Sequence, residues 1–135
     1  MLLRFSRVAG AALSIGLALA AACRHDSLPE VARAERDAAA GRRIFERRCV
    51  SCHNANGDGR TIVAGRFPYA NLRDGRWRGD GSLASIERQV RLGDDPMPSF
   101  AGKLTDEEIR QVATYVLALA RSAGEADSAR AGGGR

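Results

Sequence analysis

Cys49-Val50-Ser51-Cys52-His53 places two thiols and an imidazole within one short segment. On a helix, Cys49 and Cys52 stand at i and i+3 on one face, and His53 follows at i+4 from Cys49. Two sulfurs so placed can meet one edge of a flat macrocycle as thioethers, and the next imidazole can turn under the ring to a metal at its centre. C-x-x-C-H is the attachment signature of c-type haem, and a proximal histidine is a standard axial ligand of haem iron. A structural zinc site usually takes four Cys/His ligands; here there are three, and the other histidine, His25, sits far upstream in a polar segment. A thioredoxin-like dithiol needs a βαβ pattern around it, and no strand pattern flanks this motif. One covalent haem c is the cofactor expected.

Met97 is the internal methionine, Met1 being the start, and it stands in Asp94-Asp95-Pro96-Met97-Pro98-Ser99-Phe100. Asp95 and Met97 each precede a proline and are biased to extended conformations, while each proline fixes its own φ. Such a loop holds a thioether in place at little entropic cost. A lone methionine is otherwise core filler; the two prolines, the lack of helical periodicity and the place downstream of C-x-x-C-H favour a second axial ligand. His53 and Met97 are thus the expected iron ligands.

These groups need elements to carry them. A first helix is expected from about Asp37 to the C-x-x-C-H motif, with Ile44 and Phe45 on its apolar stripe and Gly41 allowing another backbone to come close. A second spans about Ser82 to Leu92, where Leu83, Ile86 and Val90 repeat at helical spacing, Ser82 is a plausible N-cap and Gly93 a stop. The last opens on a capping box, Thr105 with Glu108, and continues with Ile109, Val112, Ala113, Val116, Leu117 and Ala120 on the helical period. Between His53 and the second helix the chain is glycine-rich. Gly57 and Gly59 lack the strand and helix of a phosphate-binding G-x-G-x-x-G and read as tight turns that bring backbone close to haem.

With these parts in view the chain resembles the class I cytochromes c, small single-haem electron-transfer proteins. The resemblance rests on Cys49-Val50-Ser51-Cys52-His53, the apolar helix before it, Phe67-Pro68, Gly93, Met97-Pro98 and the C-terminal helix with Tyr115, over roughly residues 38–120. It implies an all-α fold whose N- and C-terminal helices cross, Tyr115 meeting Phe45 there. It also implies a proline carbonyl, here that of Pro68, as acceptor for Nδ1–H of the haem histidine. Asn54 stands where many relatives carry glycine, and Lys103 is the single lysine, so partners of lysine-rich relatives do not carry over. Trp77 is either core packing or a hydrogen-bond donor to a haem propionate.

The ends of the chain suggest export. Arg4 and Arg7 precede an apolar run from Val8 to Ala22, fifteen residues ending in small side chains, the pattern of a signal peptide. That run is short of the roughly 20 residues needed to span a bilayer. Cys23 follows directly and is the odd cysteine beside the haem pair. Leu19-Ala20-Ala21-Ala22-Cys23 resembles a bacterial lipobox, with Ala20 where leucine is usual, so Cys23 is a lipidation candidate; cleavage near the alanines without acylation is the other reading. Residues 23–37 are expected to be a lipid-anchor cysteine and polar tether, 38–120 the haem domain, and 121–135 a disordered tail too poor in apolar surface to order itself.

The formal net charge of +5 invites a nucleic-acid reading. Arg4 and Arg7 leave with the signal, two haem propionates offset more, and the arginines are interspersed with acids, so no nucleic-acid partner is expected. Arg47-Arg48 beside the motif is a solvated face or a steering patch for an acidic redox partner. A core near eighty residues is marginal alone, and a buried apolar macrocycle makes up the deficit. The chain is expected to be an exported monohaem electron carrier and not an enzyme. Its partners would be a dehydrogenase, bc-type complex or oxidase, in the periplasm and held to a membrane by lipid. The alternatives are a haem-bearing subunit of a larger periplasmic oxidoreductase, and a ligand-binding haem protein whose Met97 dissociates.

Overall fold

The computed structural model describes residues 29–63, 67 and 69–133. Their regular structure is four helices: α1 (Glu30–Arg48), α2 (Val50–His53), α3 (Leu83–Leu92) and α4 (Asp106–Gly132). Two isolated bridges, Asp94 with Met97 and Ala101 with Leu104, stiffen the loops between α3 and α4. The fold is all-α. The signal segment, Cys23, His25 and Pro68 lie outside the described residues.

α1 and α4 form the frame. The buried residues of α1 are Asp37, Gly41, Ile44 and Phe45, and those of α4 include Ile109, Val112, Ala113 and Val116. Both sets follow the spacing of one helix face. Gly41 lets the two backbones touch: a Cβ there would lie 1.9 Å from the Gln111 carbonyl oxygen. Phe45 and Tyr115 meet beside this crossing with ring centroids 5.3 Å apart and planes tilted by 60°, a favourable aromatic geometry. Asp37 is buried but not alone, since Arg110 Nη2 reaches its carboxylate at 3.5 Å.

The caps lie where the sequence puts them. Ser82 accepts from the Ser85 N–H at the start of α3, and Gly93, at φ 69°, donates its N–H to Gln89 at the end. Thr105 and Glu108 form a reciprocal capping box on α4. Boundaries differ in two places. α1 begins at Glu30 rather than near Asp37, so much of the expected tether is helix. Glu, Ala and Arg between Pro29 and Asp37 are good helix formers, and Pro29 sets the start because it cannot sit deeper in the helix. At the other end, α4 runs on to Gly132 where a disordered tail is expected. Extending an existing helix adds a hydrogen bond for each residue fixed, without a new nucleus, and this Ala-rich stretch buries Ala123.

Candidate functional site

α1 delivers the C-x-x-C-H segment directly. Cys49 donates its N–H to Phe45 O at 2.8 Å, and Cys52 and His53 donate theirs back to Cys49 O at 3.2 and 2.9 Å. This single turn, α2, sets Cys49 and Cys52 on one face and projects His53 beyond them. Cys49, Cys52, His53 and Met97 all line one cavity of about 250 Å³, with Phe45, Ile86, Val90, Phe100 and Val116 forming part of its apolar wall. The four residues singled out from the sequence thus converge on one space.

The histidine is held by its rear nitrogen. His53 Nδ1 lies 2.8 Å from the Ala70 carbonyl oxygen. A carbonyl only accepts, so Nδ1 carries the proton and a neutral ring keeps the Nε2 lone pair free. Burial pushes the His53 pKa down, opposed by the Ala70 contact, so the ring is neutral near pH 7. Pro68, whose carbonyl the resemblance implies as acceptor, lies outside the described residues; among the described residues the partner of Nδ1 is the Ala70 carbonyl. Gly59 makes the arrangement possible. It sits at φ 67°, its N–H donates to His53 O at 3.0 Å, and a Cβ on it would lie 2.5 Å from the Ala70 carbonyl carbon. Gly57 and Gly59 take the positive φ of tight turns; a Cβ on Gly57 would meet the Leu119 side chain, and one on Gly59 the 70–71 backbone beside the histidine's acceptor.

Asn54 explains its own departure from glycine. Its φ of 63° and ψ of 160° lie in a region used essentially by glycine alone, so an Asn here is strained and is held by its side-chain hydrogen bonds. Its side chain accepts from Ala55 N–H and donates to Asp58 at 2.9 Å. Asp58 also accepts from Asn56 and from the Arg60 N–H. These contacts, led by Arg60, push the Asp58 pKa down to about 2.

Met97 is set by its own loop. Asp94 N–H donates to Met97 O at 2.9 Å and Met97 N–H to Asp94 O at 2.7 Å. The side chain packs against the core, and Gln89 Nε2 lies 3.9 Å from Met97 Sδ in donor geometry. Gln89 had escaped notice in the sequence. The signal was there: it stands at i+3 from Ile86 on the buried stripe of α3, where a polar residue calls for a partner. Trp77 packs against the core and lines the cavity, its indole ring beneath Gly81.

The donor set suits a haem. An apolar cavity has two thiols at its edge, an imidazole with a free lone pair and a thioether. Burial pushes the Cys49 pKa up to about 11, helped by Cys52, whereas redox-active thiols have lowered values. Among the described residues no group of three or more His, Cys, Asp and Glu could hold a metal ion.

The family model described as cytochrome C oxidase, cbb3-type, subunit III matches residues 36–116. The chain belongs to the class I cytochromes c. It is 38% identical over 81 residues to cytochrome c6 of Parathermosynechococcus lividus, covering 60% of this chain and 88% of the relative. With cytochrome c6 of Rippkaea orientalis it shares 41% identity over 88 residues, 64% of this chain and 74% of the relative. The crystal structure of cytochrome c6 from the diatom Phaeodactylum tricornutum aligns at TM-score 0.55 and 40% identity, covering 64% of this chain and 98% of that one. As a class I cytochrome c the protein carries one covalently bound haem c and acts as an electron carrier rather than an enzyme.

Proposed function

We propose that Cys49 and Cys52 hold the haem through thioethers, that His53 and Met97 are its axial ligands, and that the protein shuttles single electrons between partner proteins in the bacterial periplasm. The observation that carries this is the convergence of those four side chains on one apolar cavity. When bound, the haem supplies a one-electron iron couple whose potential a Met/His ligand pair raises. The chain's own work is positional. Ala70 fixes the His53 ring and tautomer, the bridge between Asp94 and Met97 fixes the thioether, and the Phe45, Ile86 and Val90 wall excludes water. With both axial sites filled by side chains, no position is left for a substrate.

Cys23 is proposed to be acylated. Among the described residues no helix is long and apolar enough to cross a membrane. Attachment through Cys23 would rest on lipid, and stable anchoring takes more than one acyl chain. Fractionation tests it: wild type should pellet with membranes and resist high salt, while Cys23→Ser should be soluble or remain uncleaved. An unmodified residue at the mature N-terminus after Ala22 would leave a freely diffusing carrier. The thioethers are tested by denaturing electrophoresis with haem staining. The wild-type band should stain, Cys49→Ala with Cys52→Ala should not, and haem that extracts from wild type into acid-acetone would refute the attachment.

A second reading has one observation in its favour, the family description that names an oxidase subunit. As a haem-bearing subunit of a larger oxidoreductase, the protein would co-purify with its partners from detergent-solubilised membranes.

A further inference from the structure

Arg78 lies in the loop before α3, on neither of the segments that carry the proposed ligands, yet it touches the Met97 loop and the loop that supports His53. Its guanidinium forms an ion pair with the Asp94 carboxylate and stacks over the Tyr69 ring, 4.8 Å from the centroid. Tyr69 immediately precedes Ala70, whose carbonyl holds His53 Nδ1 at 2.8 Å. Asp94 is the residue whose backbone N–H and C=O both pair with Met97. Arg78, Tyr69 and Asp94 all line the cavity.

We propose that Arg78 is a positioning residue that clamps the Met97 loop to the loop supporting His53, and so holds the thioether closed over the site. The proposal rests on the assignment of His53 and Met97 as the axial ligands. A guanidinium suits the task, because one planar group can pair with a carboxylate and stack on an aromatic face together. The two side chains of the ion pair are 35% and 46% exposed, so the clamp is of moderate strength. It biases an opening equilibrium and does not hold the fold together.

Opening can be read with imidazole, which occupies the distal position of the oxidised holoprotein only when the Met97 loop has swung away. Its apparent affinity therefore scales with the open fraction. Arg78→Gln should tighten imidazole binding by about threefold to fivefold, the range of a part-exposed ion pair, with unchanged helical circular dichroism. Asp94→Asn should do the same, and the double variant should match either single one. On a Met97→Ala background, which itself should bind imidazole much more tightly than wild type, Arg78→Gln should have no further effect. If Met97→Ala tightens binding but Arg78→Gln does not, the clamp is wrong and the ligand assignment stands. An Arg78→Gln effect that Asp94→Asn fails to reproduce, or one that persists without Met97, also overturns the clamp. If Met97→Ala leaves the affinity unchanged, the ligand assignment itself fails and the clamp falls with it.

Discussion

Gly93 lies against Met97 so closely that a Cβ on it would sit 2.6 Å from the Met97 carbonyl oxygen. The same residue, at φ 69°, ends α3. The stop of a helix and the seat of the proposed distal ligand are therefore one piece of backbone geometry. Gly93→Ala adds a strained φ and a collision with main chain, neither of which a side-chain rotation relieves. Met97 must move while α1 and α4 stay packed. The variant should keep its covalent haem and helical content and lose much of its near-infrared sulfur-to-iron band. A variant with an intact band would show that the loop absorbs the methyl group elsewhere.

Gln89 is predicted to tune the potential. Its amide N–H faces Met97 Sδ at 3.9 Å and draws electron density from the sulfur. A weaker sulfur donor favours the reduced iron. Gln89→Leu should therefore lower the midpoint potential while leaving the near-infrared band in place. A potential that is unchanged or higher in redox titration would contradict this role.

Gly41 is predicted to be the least replaceable residue of the helix crossing. Gly41→Ala would drive its methyl group into Gln111 and force α1 and α4 apart, at a cost of about 1–3 kcal/mol for overpacking, or more where backbone must shift. Denaturant unfolding of the holoprotein measures it directly. Loss of less than about 0.5 kcal/mol would mean that the helices cross elsewhere.

Asp58 gives the pH dependence. Its folded pKa is about 2 against an ordinary 3.8. A carboxyl depressed on folding adds stability that is fully present above its ordinary value and is lost as pH falls through the folded one. Asp58→Ala should unfold at lower temperature than wild type at pH 7, and the gap should close between pH of about 4 and 2. A gap that persists undiminished at pH 2 would place its cause outside the carboxylate.

Much of this was legible in the sequence because it is local. C-x-x-C-H fixes the spacing of three groups, Pro96 and Pro98 bracket Met97, and Ser82 and the Thr105–Glu108 box mark two helix starts. Gly41 and the Phe45–Tyr115 contact were legible through periodicity and family resemblance together. The support of His53 was not, because its acceptor is the main-chain carbonyl of Ala70, an atom with no signature of its own. It is set in place by Gly59 eleven residues earlier in the chain. Arg78 was illegible for a related reason: its partners, Tyr69 and Asp94, lie on opposite sides of it in sequence and meet it only through the tertiary fold. The extended ends of α1 and α4 show how loosely composition fixes a helix boundary when Ala, Glu and Arg dominate.

The assignment of His53 and Met97 as the iron's two ligands is the centre of the account, and one spectrum tests it most directly. The oxidised protein near neutral pH is recorded in the near infrared, wild type beside Met97→Ala. The account predicts a weak sulfur-to-iron charge-transfer band in the wild type, absent from Met97→Ala, with a lower midpoint potential in the variant. A wild type without the band, or a variant whose spectrum is unchanged, would mean that another group holds the position opposite His53.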